Sequence, residues 1–237
     1  MIDVHSHIIP GVDDGSRTME ESVRMLISLA KQGFTGVIAT PHYSRREVLA
    51  DLDGKAQDLE REIRQFFPDF SVWPGQETWY HDGLVERLQA GKAYTINHTR
   101  CVLVEFEPEV APGRFLLGVR RLAEAGYRPL IAHMERYLCL RDEGLLRDAA
   151  GYGAWFQMNY DSLSGRWYER EVRRCRRLVQ EGRIQCLGTD MHRLDWRPPE
   201  TRAAMEWLES HVEEGVLRSL TEENPRRLVS GKPLSGL

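Results

Sequence analysis

Several things are missing from this sequence of 237 residues, and each absence removes a class of function. No apolar run approaches the roughly 20 residues that span a bilayer. The opening Met1-Ile2-Asp3-Val4-His5 has neither a basic n-region nor a long apolar h-region. No secretory leader is therefore expected, and the cytoplasm is the expected location. Only four cysteines occur (Cys101, Cys139, Cys175 and Cys186), and none forms a C-x-x-C pair. They read as reduced, mostly buried thiols. None is followed six positions later by arginine, which excludes cysteine-dependent phosphatase chemistry. The formal net charge of −4 gives no global reason to expect nucleic acid as a partner. Low-complexity tracts, internal repeats and linkers are also lacking, so one domain over residues 1–237 is expected.

What is present is a repeated alternation. Seven short apolar runs stand out: 2–7, 36–42, 70–77, 101–107, 129–133, 154–159 and 184–192. Several are β-branched, as buried parallel strands tend to be. Helix-like segments separate them. In the first, Thr18 and Glu21 have capping-box spacing, Val23, Leu26, Ile27 and Ala30 form an apolar stripe, and Gly33 stands at the expected left-handed end. Further helices are expected over 115–125, ending at Gly126, and 166–180, ending at Gly182. Seven such units predict an α/β fold with a parallel sheet curled into a closed or nearly closed barrel.

Six of the seven runs end on a side chain able to bind metal: His5 with His7, His42, Glu77, Glu105, His133, and Asp190 with His192. In a βα barrel the functional groups gather at the C-terminal ends of strands, and a random scatter would not follow them. His5-Ser6-His7 places two imidazoles on one strand face. Asp14 follows in a Gly-Val-Asp-Asp-Gly loop, where a plain turn carboxylate is the alternative. Glu105 ends Cys-Val-Leu-Val-Glu, a setting in which an unpaired carboxylate is costly to bury. His81, His98 and His211 fall outside the pattern. Mixed imidazole and carboxylate ligands suit Mn, Fe or Zn better than an all-oxygen Mg or Ca cage.

These motifs, together with Pro41-His42, Gln76-Glu77, Ala132-His133-x-Glu135-Arg136-Tyr137 and Asp190-x-His192, resemble the polymerase and histidinol phosphatase (PHP) superfamily. Within it the chain is similar to bacterial capsule and exopolysaccharide-locus protein-tyrosine phosphatases of the CpsB/YwqE type. The resemblance runs from Ile2 to about Pro225-Arg226. It implies a distorted (β/α)7 barrel, TIM-barrel-like, with three divalent metal ions, Mn first among Mn, Fe and Zn. One ion would take His5, His7, Glu77 and Asp190. A second would take Glu77, Glu105 and His133, and the third Asp14, His42 and His192. Met134, Arg193 and Gly188-Thr189 depart from the usual pattern without removing a ligand.

The reaction expected is metal-assisted in-line hydrolysis of a phosphomonoester, with Arg136 and Arg197 as catalytic phosphate clamps. The resemblance implies a phosphotyrosine-containing protein as substrate, the tail of a bacterial tyrosine kinase, with the membrane met only through that kinase. Four rival readings remain: a histidinol phosphatase on a small phosphomonoester, a polymerase-associated exonuclease, an amidohydrolase, and a metal-bearing module without catalysis. Acidic net charge opposes the exonuclease, and no strand-end lysine supports the amidohydrolase. Arg166, Arg170, Arg173, Arg174 and Arg177 are expected along one helix face, with Tyr168, Val172, Cys175 and Val179 opposite. That stripe is either a solvated face or a docking surface for an acidic tail.

Overall fold

Short strands with apolar residues on both faces need cover on both sides, and here helices supply the outer cover. The computed structural model describes residues 1–42 and 51–234. In chain order its elements are β1 (Ile2–Ser6), α1 (Met19–Ala30), β2 (Gly36–Ala39), α2 (Leu52–Ile63), β3 (Ser71–Pro74), β4 (Glu77–Trp79) and α3 (Leu84–Gln89). There follow β5 (Cys101–Glu105), α4 (Pro112–Glu124), β6 (Arg128–Ile131), α5 (Glu143–Gly151), β7 (Trp155–Asn159), α6 (Arg170–Gln180) and β8 (Cys186–Gly188). Helices α7 (Arg202–His211), α8 (Glu214–Arg218) and α9 (Asn224–Val229) complete the described chain.

All named strand pairings are parallel, in two sheets ordered β1-β2-β3 and β4-β5-β6-β7-β8. The third apolar run is thus two strands, not one. It breaks at Gly75-Gln76, because its first half pairs with β2 and its second half with β5. Both gaps between the sheets are crossed at or just past the C-terminal ends of β1 and β2. An isolated parallel bridge joins His42 to Glu77, and another joins Ser6 to Met191. At the second, Asp190 N donates to His5 O and His7 N to Met191 O, both at 2.8 Å. Seven βα units in two sheets joined by single bridges make the nearly closed barrel that the alternation predicts, in the distorted form that the resemblance implies.

Alternation then sorts the side chains. Leu103 and Glu105 share one face of β5, and Trp155, Gln157 and Asn159 one face of β7. A small apolar cluster including Val4, Ile38, Leu103, Leu130 and Cys186 fills the interior beneath the polar strand ends. The larger cluster, with Val37, Val102, Val104, Ile131 and Met158, lies between the strands and helices.

Local signals held with small shifts. Thr18 accepts from Glu21 N as expected, but Glu21 Oε2 reaches Arg17 N rather than the cap itself. The buried face of α1 is Ser22, Met25, Leu26 and Leu29, so Val23, Ile27 and Ala30 flank it. Gly33 takes φ +92° just past the helix, a value that glycine adopts without a Cβ penalty. Helix α4 starts a turn earlier than expected, with Pro112 in its first turn. Helix α6 starts later: Arg166 lies in the turn before it and donates to the Tyr168 hydroxyl. Tyr168 is exposed, not part of the apolar side.

Candidate metal centre

The candidate ligands from the strand ends all converge. On β1, the pairing register shifts between Asp3 and Ser6, a local irregularity of the kind that re-aims side chains beside active sites. His5 and His7 face each other there, Nε2 to Nε2, at 3.3 Å. Glu77, the first residue of β4, lies at the centre. Its Oε2 is 3.3 Å from His5 Nε2, 3.3 Å from His7 Nε2 and 3.0 Å from His42 Nδ1. Its Oε1 is 2.8 Å from His133 Nε2, which is also 3.4 Å from Glu105 Oε1. Asp190 Oδ1 approaches the same two β1 rings at 3.6 and 3.3 Å.

The loop after β1 supplies two carboxylates with different duties. Gly15 folds it back onto the strand so closely that a Cβ there would lie 2.1 Å from the His7 carbonyl oxygen. Asp13 then points inward, accepting from His7 Nδ1 at 2.7 Å and from His42 N at 2.8 Å. Asp14 points outward, with Oδ1 3.7 Å from both His42 Nε2 and His192 Nε2. Asp13 was not singled out in the sequence, where the two aspartates of one turn are indistinguishable.

Gln157 and Asn159 were also missed. They end the one apolar run that carries no candidate ligand, and that vacancy was the available signal. Gln157 Oε1 accepts from His5 Nδ1 at 3.1 Å and His133 N at 2.7 Å. Its amide donates to Asn159 Oδ1 at 2.8 Å, and Asn159 Nδ2 donates to Asp190 Oδ2 at 3.0 Å. This chain of amides orients three of the candidate ligands. His192 Nδ1 similarly donates to Asp190 O at 2.8 Å. With Nδ1 held, His5, His7 and His192 each present Nε2 to the centre, which is how a ligating imidazole is aimed.

The electrostatics follow from packing acids and imidazoles into a dry space. Burial alone would raise the pKa of Glu77, but His5, His133 and His42 hold it well below the ordinary carboxylate range. Asp190 is likewise held low against burial by His5 and His7. Burial opposes charge on His7, yet its contacts with Asp13, Asp190 and Glu77 raise it well above the usual value. His133, raised by Glu105 and Glu77 against burial, reaches about 9. Burial and the neighbouring His7 bring His192 down to about 4. The carboxylates and the imidazoles of the site thus support each other's charged forms against burial.

The donor set fits divalent ions. Glu77 Oε2 is sealed from solvent and has no hydrogen-bond partner, although three imidazole nitrogens ring it. Two facing Nε2 atoms and a bare carboxylate oxygen are what shared metal ligands leave behind. Three groups have donor atoms within 4.8 Å of one another: His5, His7 and Asp190; His42, Glu77 and Glu105; and His7, Asp14, His42 and His192. These overlap more than the expected partition, because His7 and His42 each stand between two groups. His133 sits beside the second through Glu77 and Glu105.

Arg136 and Arg197 both reach the centre through one atom. Arg136 Nη2 donates to Asp190 Oδ2 at 2.6 Å and Arg197 Nη1 at 3.2 Å. His133, Asp190 and Arg197 all take positive φ (29°, 53° and 54°), a costly conformation for residues with a Cβ and one that collects at functional sites. The remaining histidines lie elsewhere: His81 Nδ1 accepts from Gly83 N at 3.1 Å, His98 pairs with Asp53 at 2.6 Å and His211 stacks on Trp207. The four thiols are free, and burial raises the pKa of each, so none is an activated nucleophile.

Known proteins resemble this chain across its length. The chain is 28% identical to the tyrosine-protein phosphatase CpsB of Streptococcus pneumoniae, over 97% of this chain and 98% of that one. It is 30% identical to the tyrosine-protein phosphatase YwqE of Bacillus subtilis, over 94% and 89%. A solved structure from the work on YwqE of Bacillus subtilis and CpsB of Streptococcus pneumoniae, described as unique metal-dependent tyrosine phosphatases, superposes with a TM-score of 0.87. It covers 100% of this chain and 97% of its own at 28% identity. With residues 1–230 matching the model for capsular polysaccharide synthesis proteins CpsB/CapC, the chain belongs to that family.

Proposed function

We propose that this chain is a metal-dependent protein-tyrosine phosphatase acting on the phosphotyrosine-bearing tail of a bacterial tyrosine kinase that controls capsule or exopolysaccharide synthesis, in the cytoplasm. The observation that carries the reading is Glu77, a buried carboxylate opening β4 with four imidazoles within 3.3 Å. The names of the similar proteins support the choice of phosphotyrosine among phosphomonoesters.

His5, His7, Asp14, His42, Glu77, Glu105, His133, Asp190 and His192 would hold three divalent ions, manganese first. Bound there, such ions supply Lewis acidity, polarising phosphoryl oxygens and acidifying water. The chain's own residues do the rest. Asp13, Gln157 and Asn159 fix the rings and Asp190 so that little reorganisation accompanies reaction. Arg136 and Arg197 each spend one donor on Asp190 Oδ2, which parks the guanidiniums at the rim. Their side chains stay 32% and 40% exposed, leaving other N–H groups to receive phosphate oxygens. A phenol leaves with a pKa near 10, so a phosphotyrosine needs less proton donation than an alkyl phosphate.

The test is turnover of a phosphotyrosine peptide and of histidinol phosphate by one preparation, with and without added Mn²⁺. Metal-dependent preference for the peptide is expected. Preference for histidinol phosphate would keep the site and overturn the substrate.

A further inference from the structure

Helix α6 packs Arg170, Arg173, Arg174, Arg176 and Arg177 into 11 residues of a chain whose net charge is −4. Like charges three and four apart on a helix repel, so this density calls for anions nearby. Some are internal. Arg177 pairs with Glu143 at 3.1 Å and Glu181 at 3.8 Å, and Arg141 pairs with Glu171 at 3.0 Å. Arg176 holds the chain together, donating to the carbonyls of Leu163 and Gly165 and lying over Trp207.

The other three are different. Among the described residues, Arg170 and Arg173 have neither an ion pair nor a side-chain hydrogen bond. Arg174 is pinned by donation of its Nη2 to Leu140 O at 2.6 Å, while its Nη1 has no acceptor. Together with Arg141, Arg177 and Glu171 they line a groove of about 310 Å³. Five arginines and one carboxylate thus line it, and of the five only Arg141 and Arg177 are ion-paired among the described residues.

Its place in the fold matters as much as its charge. Arg141 ends the turn Leu138–Arg141, which directly follows the turn Met134–Arg136 after His133. One wall of the groove, Arg141, thus lies five residues along the chain from Arg136, whose guanidinium reaches Asp190 in the metal centre. Trp167 and Tyr168, 74% and 52% exposed, lie in the turn that leads into α6. Exposed aromatic rings beside arginines suit a peptide that carries tyrosines and negative charge.

We propose that this groove docks a second anionic side chain, phosphate or carboxylate, of the same substrate segment whose phosphotyrosine occupies the metal centre. The proposal rests on the phosphatase reading above. Guanidiniums held by Leu140 and Glu171 lose little freedom on binding, and their planar forks match the oxygens of phosphate or carboxylate.

The variant R170E/R173E touches no side-chain partner and lies outside the catalytic machinery. It should lower kcat/KM on a doubly phosphorylated peptide about 10-fold, through KM, while turnover of p-nitrophenyl phosphate is unchanged. Equal loss on both substrates, or no loss on either, overturns the groove. Fluorescence anisotropy of the labelled doubly phosphorylated peptide, measured without turnover, separates the two readings. Tight binding lost in the variant supports the groove even if catalysis fails, and equal binding to both proteins overturns it. Equal binding of a single-stranded oligonucleotide would overturn the peptide assignment. If metal-loaded wild type hydrolyses no phosphotyrosine substrate, the phosphatase reading alone falls.

Discussion

The body of the barrel and its C-terminal rim are held together in different ways. In the body, parallel ladders such as β5 on β6 run through Cys101, Val102, Leu103 and Val104, with apolar side chains packed on both faces. At the rim, among the described residues, the two sheets meet by single bridges, Ser6 to Met191 and His42 to Glu77. Four of the candidate ligands, His5, His7, Asp190 and His192, flank the first bridge, and His42 and Glu77 form the second. Three of the five non-glycine residues with positive φ among those described, His133, Asp190 and Arg197, also lie at the rim, and the other two, Asn97 and His98, precede β5. Hydrophobic burial and backbone pairing stabilise the body, whereas the rim depends on polar side chains and the cations they fit. Stability and activity should therefore be separable by region.

The sharpest separation is between Glu77→Gln and Val102→Ala. Loss of the Glu77 charge should lower kcat by ~1,000-fold or more, with metal content falling in elemental analysis. Val102→Ala should cost about 1–3 kcal/mol in denaturant unfolding and leave kcat nearly unchanged. A large loss of kcat in the body variant would break the comparison. Within the rim, Arg136→Ala should lower kcat by ~100-fold while metal content stays intact, as expected of an oxygen-binding donor and not of a ligand. Full activity would remove its clamp role.

Metal removal tests the seams directly. Chelation should destabilise the fold by about 4 kcal/mol relative to metal at a thousandfold excess over Kd. Hydrogen exchange should rise at His7, Glu77 and Asp190 before it rises in β5 and β6. The same histidines make the effect depend on pH. His133, raised to about 9, is protonated in the bare protein at neutral pH and must lose that proton to bind metal. Apparent metal affinity should therefore climb as pH rises towards 9, about tenfold per unit for each proton displaced. In the metal-free protein the shift has the opposite consequence. Its stabilisation is complete below the unfolded value of 6.5 and is lost as pH rises through about 9. Affinity that is flat with pH would contradict this.

The smallest effect is expected from Asp13→Asn. It keeps every candidate ligand but weakens the hold on His7, and should lower metal affinity ~10-fold with little change in unfolding free energy. An effect as large as that of Glu77→Gln would make Asp13 more than a positioning residue.

Particular residues explain how far the sequence could be read. Strand ends were legible because burial on both faces leaves an unbroken apolar run, and a His or Glu closing such a run is conspicuous. All nine candidate ligands were found that way or by family resemblance, and the structure gathers them into one cluster. The break at Gly75-Gln76 was hidden, because which neighbour a strand pairs with is a nonlocal choice. For Arg136 and Arg197 the sequence suggests only phosphate clamps. Their shared contact with Asp190 joins residues 54 and 7 positions from it, and no local pattern encodes that.

By itself the sequence determined the βα order and the candidate ligand types, and it placed most of those candidates at strand ends. These depend on local periodicity and on the chemistry of single side chains. Only the tertiary structure decided that Asp13 turns inward and Asp14 outward, that Gln157 and Asn159 link His5 to Asp190, and that α6 aligns its arginines with Arg141. Those outcomes depend on contacts between distant segments, fixed when packing and hydrogen-bond satisfaction are resolved for the whole barrel at once.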